Sequence, residues 1–378
     1  MIYLDYAASA PISEEAMQVF HELNKEVYGN ASSLHDAGGK AEHILNYCRR
    51  QLAALIHGHE DGIYFTSGGT ESNILALQSV LNGLPADRRH FITTSVEHSS
   101  IRNLAALLQS QGWGVSIMQP DGNGRITPEI LLSHIRENTG LVSIQHANSE
   151  TGIIQDLQEL SPLLKKRSIL LHTDAVQTFG KIPVHADELG FDVLTVSSHK
   201  VYGPKGVGAV YIRPGVDWKP VYPGTTHEKG FRPGTVNVPG IGAFVTAAEA
   251  MVRQMTKLSE HFRKLRSHLF MEGHRLGIPL QPVVDETRVQ VLPHIAGCYF
   301  LKAEGQYIML ECNRSGICIS TGSACAVGQQ NPSPSVKALG ASDQEALHFI
   351  RISFGQHTTL QEVDSLLSTL HETVMNKL

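Results

Sequence analysis

The stretch Ser168-Ile169-Leu170-Leu171-His172-Thr173-Asp174-Ala175-Val176-Gln177 decides the architecture. Its apolar half does not alternate with polar residues, which fits a strand covered on both faces. It then runs into a turn carrying an acid. The same texture recurs on both sides, with strand-like runs at 62–66, 90–94, 114–118, 141–145, 169–173, 193–197 and 208–212. Helical patterns at 71–81, 128–136 and 157–166 lie between them. Strands alternating with helices predict an α/β layer with a mostly parallel sheet.

Past residue 240 the texture changes. Gly240-Ile241-Gly242 opens a long helical pattern over 242–272. Strand-like runs follow at 289–292, 297–301, 316–320 and 349–354, with helices at 305–313 and 360–377. The expectation is a large domain over 15–250 and a smaller α+β domain built from 1–14 and 251–378, joined by the long helix.

A chain of 378 residues suits two such domains. Hydrophobic residues make up 42% and charged residues 18%, enough for a core and too little charge for a disordered chain. The net charge of −5 offers no basic surface for nucleic acid or anionic lipid. No apolar run reaches membrane-span length, and Met1-Ile2-Tyr3-Leu4-Asp5 has no signal-peptide pattern, so a cytoplasmic location is expected. Five cysteines, an odd number without a Cys-x-x-Cys pair, argue against a disulfide framework or a zinc ribbon. Cys312 and Cys318 sit in apolar surroundings and read as core thiols, whereas Cys325 has small polar neighbours. His57-x-His59 reads as a solvated turn, with no metal site.

Three segments carry chemistry. Thr66-Ser67-Gly68-Gly69-Thr70-Glu71-Ser72-Asn73 ends a strand, turns on two glycines and starts a helix. That is either an ordinary turn with Thr70 as N-cap or a cradle of N–H groups for a phosphate. Asp174 at the end of a buried strand is either a capping acid or a partner for a protonated ring nitrogen, with Gln177 on its side of the following turn. Ser197-Ser198-His199-Lys200, ahead of Val201-Tyr202-Gly203-Pro204-Lys205-Gly206, holds either a surface lysine or one that forms a Schiff base with an aldehyde. Together, a phosphate cradle, an acid for a ring nitrogen and a Schiff-base lysine are the fixed needs of pyridoxal 5'-phosphate.

At this point the sequence resembles the cysteine desulfurases of the NifS/IscS type, within the aminotransferase class V family. The likeness runs through Tyr3-Leu4-Asp5-Tyr6-Ala7-Ala8, Tyr28-Gly29-Asn30-Ala31-Ser32-Ser33, Glu97-His98, Asn148-Ser149-Glu150-Thr151-Gly152, Arg232-Pro233-Gly234-Thr235, Ser323-Ala324-Cys325 and Arg351-Ile352-Ser353, besides the three segments above. It implies fold type I of the pyridoxal-phosphate enzymes, as a homodimer. It implies Lys200 as the Schiff-base lysine, Asp174 on the ring nitrogen, His98 stacked on the ring, and Gln177 near the ring oxygen. Gly69, Thr70, Ser197 and His199 would hold the phosphate, with Thr235 reaching it from a second subunit. Arg351 would clamp the substrate carboxylate, helped by Asn30. Many relatives have two asparagines before Glu-Thr-Gly, whereas this chain has Asn148-Ser149; the cofactor contact is assigned to Asn148.

Ser320 to Pro334 is rich in Gly, Ser, Pro and Gln and reads as a mobile loop. Its Cys325 is either an accidental thiol or a nucleophile, and the Ser-Ala-Cys pattern of the family favours the nucleophile. The resemblance thus implies Lys200, Cys325 and His98 as catalytic residues. The expected reaction takes sulfur from L-cysteine, leaves L-alanine and carries a persulfide on Cys325 to an acceptor. No resident metal is expected, with Cys325 as the side chain that would contact a nascent iron–sulfur cluster. The acceptor would be a protein such as an iron–sulfur scaffold or, from the run Cys325 to Ser333, a quinolinate synthase. A selenocysteine lyase, a pyridoxal-phosphate-dependent aminotransferase and a non-catalytic sulfur carrier are the competing readings. Cofactor colour, keto-acid dependence and alanine release separate them.

Overall fold

The computed structural model describes residues 1–322 and 333–377. The chain runs β1 (Ile2–Tyr3), α1 (Glu14–Glu26), α2 (Asp36–Leu55), β2 (Ile63–Thr66), α3 (Gly69–Gly83), β3 (His90–Thr94), α4 (Ser99–Ser110), β4 (Gly114–Met118), α5 (Pro128–His134), β5 (Thr139–Ser143), α6 (Leu157–Lys165), β6 (Leu170–Asp174), α7 (Ala186–Leu189), β7 (Val193–Ser197) and β8 (Gly208–Ile212). It continues as α8 (Val238–Arg275), β9 (Leu280–Pro282), β10 (Ile295–Phe300), α9 (Gly305–Arg314), β11 (Ile317–Cys318), α10 (Pro334–Ala338), α11 (Asp343–Leu347), β12 (Phe349–Ser353) and α12 (Leu360–Lys377).

Seven strands form the main sheet in the order β2-β8-β7-β6-β5-β3-β4. Only β8 runs against its neighbours, β2 and β7, while the other pairs are parallel. The apolar strands are explained by burial on both faces. Successive residues point to opposite sides, so Phe91, Leu141 and Val193 join one core with Leu77 and Val80 of α3 and Leu104 of α4. Ile92, Val142 and Leu194 join the other core with Leu52 of α2 and Leu160 of α6. Helix starts follow local chemistry. Ser13 accepts from Ala16 N, Thr127 from Ile130 N ahead of Pro128, and Asp156 from Glu159 N.

Beyond the main sheet lie an antiparallel sheet in the order β12-β10-β9 and the parallel pair β1-β11. Helix α8 touches α1 and α2 on one stretch and α12 on another. The residues after β1 turn at 6–8 and tie to both parts of the fold. Ser353 N donates to Leu4 O, Ala10 N to His199 O and Ser13 N to Tyr202 O.

Several details differ from the sequence expectation. Strand β5 ends at Ser143 and not at 145, because Gln145 N turns to a side chain, donating to Glu97 Oε1 at 2.8 Å. Residues 289–292 make only one bridge, Val291 to Ile153, ahead of Pro293, which has no N–H to extend a ladder. The short edge strand β9, ending in Pro282, was not expected. No helix of the described residues is long and apolar enough to cross a membrane.

Candidate active site

The parallel strands of the main sheet deliver side chains to one end. Asp174 closes β6, Ser197 closes β7, and the chain leaves β2 through Ser67 and Gly68 into α3. Crevices outside the carboxyl ends of parallel strands are where α/β folds place ligands. A cavity of about 200 Å³ lies there, lined by Gly69, Thr70, His98, Asp174, Gln177, Ser197, His199, Lys200 and Arg351, and by Ala7, Ala8, Asn73, Gln145, Ala147, Ser149 and Val176.

Gly68 has φ +147°, a conformation L residues rarely adopt, and caps α3 without a side-chain hydrogen bond. The first N–H groups of α3 are therefore left to an anion. The backbone of Gly68 also approaches β8 closely: a Cβ on Gly208 would sit 2.7 Å from Gly68 Cα. Thr70 borders the same cavity but is not the N-cap.

Both carboxylate oxygens of Asp174 accept hydrogen bonds. Val176 N donates to its Oδ1 at 2.9 Å and Asn73 Nδ2 to its Oδ2 at 2.8 Å. Asn73 Nδ2 also donates to Ser100 Oγ at 3.1 Å, and Ser100 Oγ lies 2.8 Å from His98 Nδ1. Since His98 Nδ1 accepts from Ser100 N, a neutral ring carries its proton on Nε2. Burial holds His98 below the ordinary histidine range; the Asp174 charge opposes this and the Lys200 and Arg102 charges add to it. His98 both caps α4 and borders the cavity, so the capping role and the site role coexist.

Lys200 ends the 3₁₀ turn Ser198–Lys200, and its Nζ donates to Ala7 O at 2.5 Å and Ala8 O at 2.6 Å. Gln177 Nε2 donates to the same Ala7 carbonyl at 3.0 Å. His199 is pushed down to about 4, by burial first and then by the charges of Lys200, Lys181 and Lys205. Its ring is thus neutral at neutral pH. Arg351 is 2% exposed, not a solvent-facing edge residue. Its Nη1 donates to Ser149 O at 2.9 Å and its Nη2 to Asp5 Oδ1 at 2.7 Å.

Three expectations are corrected or relocated. Asn148 does not border the cavity. Its Oδ1 accepts from Glu150 N, Thr151 N and Thr151 Oγ1, and its Nδ2 donates to Val96 O and Ser335 Oγ. The carboxamide is spent on the turn, and Ser149 is the neighbour that faces the site. Asn30 is exposed, accepts from Ser32 N and takes no part in the cavity. Thr235 is exposed and outside this chain's cavity as well. Cys325 lies outside the described residues. Asn73, Gln145 and Ser149 were not assigned to the site from sequence. Asn73 stood inside the quoted cradle segment, and a helix beginning at Gly69 puts it one turn into α3.

Polar atoms left over in this region fit pyridoxal phosphate. Asn73 Oδ1, Gln145 Nε2, Gln177 Oε1, Ser197 Oγ and Arg351 Nε are buried without a partner in the structure, and all belong to cavity residues. Such groups are destabilising unless a ligand or water completes them. Lys200 and Asp174 share the cavity with an open helix N-terminus, which matches the aldehyde, the ring nitrogen and the phosphate in turn.

The sequence family described as aminotransferase class-V matches residues 2–366. The chain belongs to the aminotransferase class-V family. Within it, the chain is 62% identical over 369 residues to a protein of Bacillus subtilis (strain 168) bearing the provisional name cysteine desulfurase NifS, covering 98% of this chain and 93% of that one. It is 37% identical to the cysteine desulfurase IscS of Dictyoglomus turgidum, covering 100% and 95%. A solved NifS-like protein aligns with TM-score 0.91 at 32% identity over 99% of both chains. SspA, solved in complex with cysteine, aligns with TM-score 0.81 at 28% identity, covering 95% of this chain and all of SspA. The class-V family uses pyridoxal phosphate, and the fold is that of its type I enzymes.

Proposed function

We propose that this protein is a cysteine desulfurase, converting L-cysteine to L-alanine and passing the sulfur to an acceptor. The observation that carries the reading is the convergence of Lys200, Asp174 and Arg351 on one cavity at the carboxyl ends of the sheet. When bound, pyridoxal phosphate supplies a carbonyl for the substrate amine and a ring that takes up electron density from Cα.

The residues of the chain do the rest. Gly69, Thr70, Ser197 and His199 would hold the phosphate and Asp174 the ring nitrogen. His98, which borders the cavity, would lie beside the ring. Arg351 binds the substrate carboxylate and orients Cα toward Lys200. The Lys200 amine takes the Cα proton and returns one as the reaction proceeds. The Cys325 thiolate attacks the substrate sulfur. An S–S bond forms, the C–S bond breaks, and its electron pair stays with the carbon that becomes the methyl group of alanine after protonation.

The same reading makes the molecule a cytoplasmic homodimer, with Thr235 entering the partner's site. Its large domain spans 15–250 and its small domain 1–14 with 251–378. Its sulfur goes to a protein acceptor, an iron–sulfur scaffold or a quinolinate synthase. The test is incubation with L-cysteine and dithiothreitol, measuring sulfide and alanine together. Equal amounts of both, without an added keto acid, are expected. Cys325→Ala should keep the cofactor colour and lose sulfide release. Alanine formation that requires a keto acid, or sulfide release by the variant at the parental rate, would overturn the assignment.

A further inference from the structure

Arg351 lies in the middle of β12 and is almost wholly buried, so its charge needs a counter-charge. The start of the chain supplies it. Residue 5 forms a parallel bridge with Ser353, two positions beyond Arg351, which brings the Asp5 carboxylate beside the guanidinium. The side chains of this ion pair are 2% and 18% exposed. Asp5 takes one N–H from Nη2, and the Ser149 carbonyl takes one from Nη1. Nε remains without a partner, and the arginine borders the cavity. A guanidinium is planar with its donors in a fixed fork, so two anchors on its terminal nitrogens define how the remaining N–H groups are presented.

We propose that Asp5 is a positioning residue of the carboxylate clamp: it fixes the Arg351 guanidinium so that its remaining N–H groups meet the substrate carboxylate. This rests on the reading of Arg351 given above. Asp5 itself does not border the cavity, so it acts through the arginine. Without its charge, the arginine keeps one anchor, Ser149 O, and can turn about that contact. The loss is then confined to ligands that carry a carboxylate. The role differs from an inhibitory contact, in which Asp5 would compete with substrate for Arg351 and its removal would tighten binding.

The test compares wild type, Asp5→Asn and Asp5→Glu as holoenzymes. Asp5→Asn keeps the shape and one acceptor oxygen, and melting temperatures check that the variants fold. Binding of L-alanine and of ethylamine, its counterpart without the carboxylate, is read from the cofactor absorbance, and KM and kcat are measured with L-cysteine. Asp5→Asn should weaken L-alanine and raise KM for L-cysteine on the order of tenfold. Ethylamine binding should change little, and Asp5→Glu should recover part of the loss. Unchanged or tighter L-alanine binding in Asp5→Asn would overturn the proposal, as would an equal loss for ethylamine. A wild-type enzyme that binds L-alanine but releases no sulfide from cysteine would instead count against the proposed function, while the Asp5 comparison still reads out.

Discussion

Single residues were legible in proportion to how directly their chemistry faces the cavity. Lys200, Asp174, His98 and Arg351 are side chains whose chemistry is read from type and setting, and all four border the cavity. Asn148 shows the limit. An asparagine and a serine side by side have interchangeable claims in sequence, and only the backbone turn decides that Ser149 faces inward. Supporting residues were invisible for a related reason: Asn73 acts by orienting Asp174, a contact across 101 positions. Glu97 is a further case. It is fully buried, accepting from Thr94 Oγ1 and Gln145 N, and it is pushed up to about 8 by burial, with the Asp174 charge adding to the rise. The folded state therefore keeps a proton that the unfolded chain releases at ordinary glutamate pH. That stabilisation is fully present below about pH 4.5 and is lost as pH rises through about 8. Glu97→Gln removes the titration and keeps the shape. Relative to wild type, it should gain on the order of 2–4 kcal/mol in unfolding free energy between pH 5 and pH 8. Urea unfolding of the cofactor-free proteins at the two pH values measures this, and parallel pH dependence of the two proteins would show that Glu97 does not titrate there.

At the scale of elements, periodicity and punctuation revealed most of the main sheet. Strands β3, β4, β7 and β8 begin and end where their apolar runs do. Helix α2 carries no such clear signal. Gly38 and Gly39 near the start of α2 disfavour helix, and packing against α8 overrides that preference. The two kinds of glycine separate in a test. Gly39 is helical, with open space around a would-be Cβ, so Gly39→Ala should raise stability by about 0.4–1 kcal/mol and leave cofactor binding alone. Gly208→Ala puts its methyl into the Gly68 backbone, which has to move, and Gly68 O accepts the Ser72 N–H that opens α3. It should cost about 1–3 kcal/mol of stability and weaken pyridoxal phosphate by roughly tenfold, because the cradle N–H groups shift with Gly68. Equilibrium binding of the cofactor to the two purified apo variants gives the comparison. A Gly208→Ala protein with wild-type affinity would detach the cradle from the β8 contact.

For the whole molecule, the feature that sequence could not show within one chain is why Thr235 lies outside the cavity. The segment before it is tied down firmly. Glu228 and Lys229 adopt left-handed backbone angles, φ 45° and 55°. The Glu228 carboxylate takes Arg49 Nη1 at 3.1 Å, Arg49 Nη2 at 3.2 Å and Phe65 N at 2.6 Å. Arg232 then pairs with Glu71, the neighbour of Thr70 in the first turn of α3, at 3.2 Å. Residues 228–232 are thereby anchored to the β2–α3 region of the same chain, yet Thr235 is exposed. An outward-facing residue three positions past such an anchored segment is well placed to serve the cradle of a second copy across a two-fold axis. Thr235→Asp would set a carboxylate against the phosphate charge, and Lys200→Ala removes the Schiff-base amine. Each homodimer should be nearly inactive. A heterodimer purified through two different tags has one site lacking both functions and one intact, so it should regain about half of the wild-type rate. If Thr235 served its own subunit instead, each site of the heterodimer would carry one lesion and the rate would stay at the level of the parents. That outcome, or full activity from a monomer in analytical ultracentrifugation, would place the phosphate contact within a single chain.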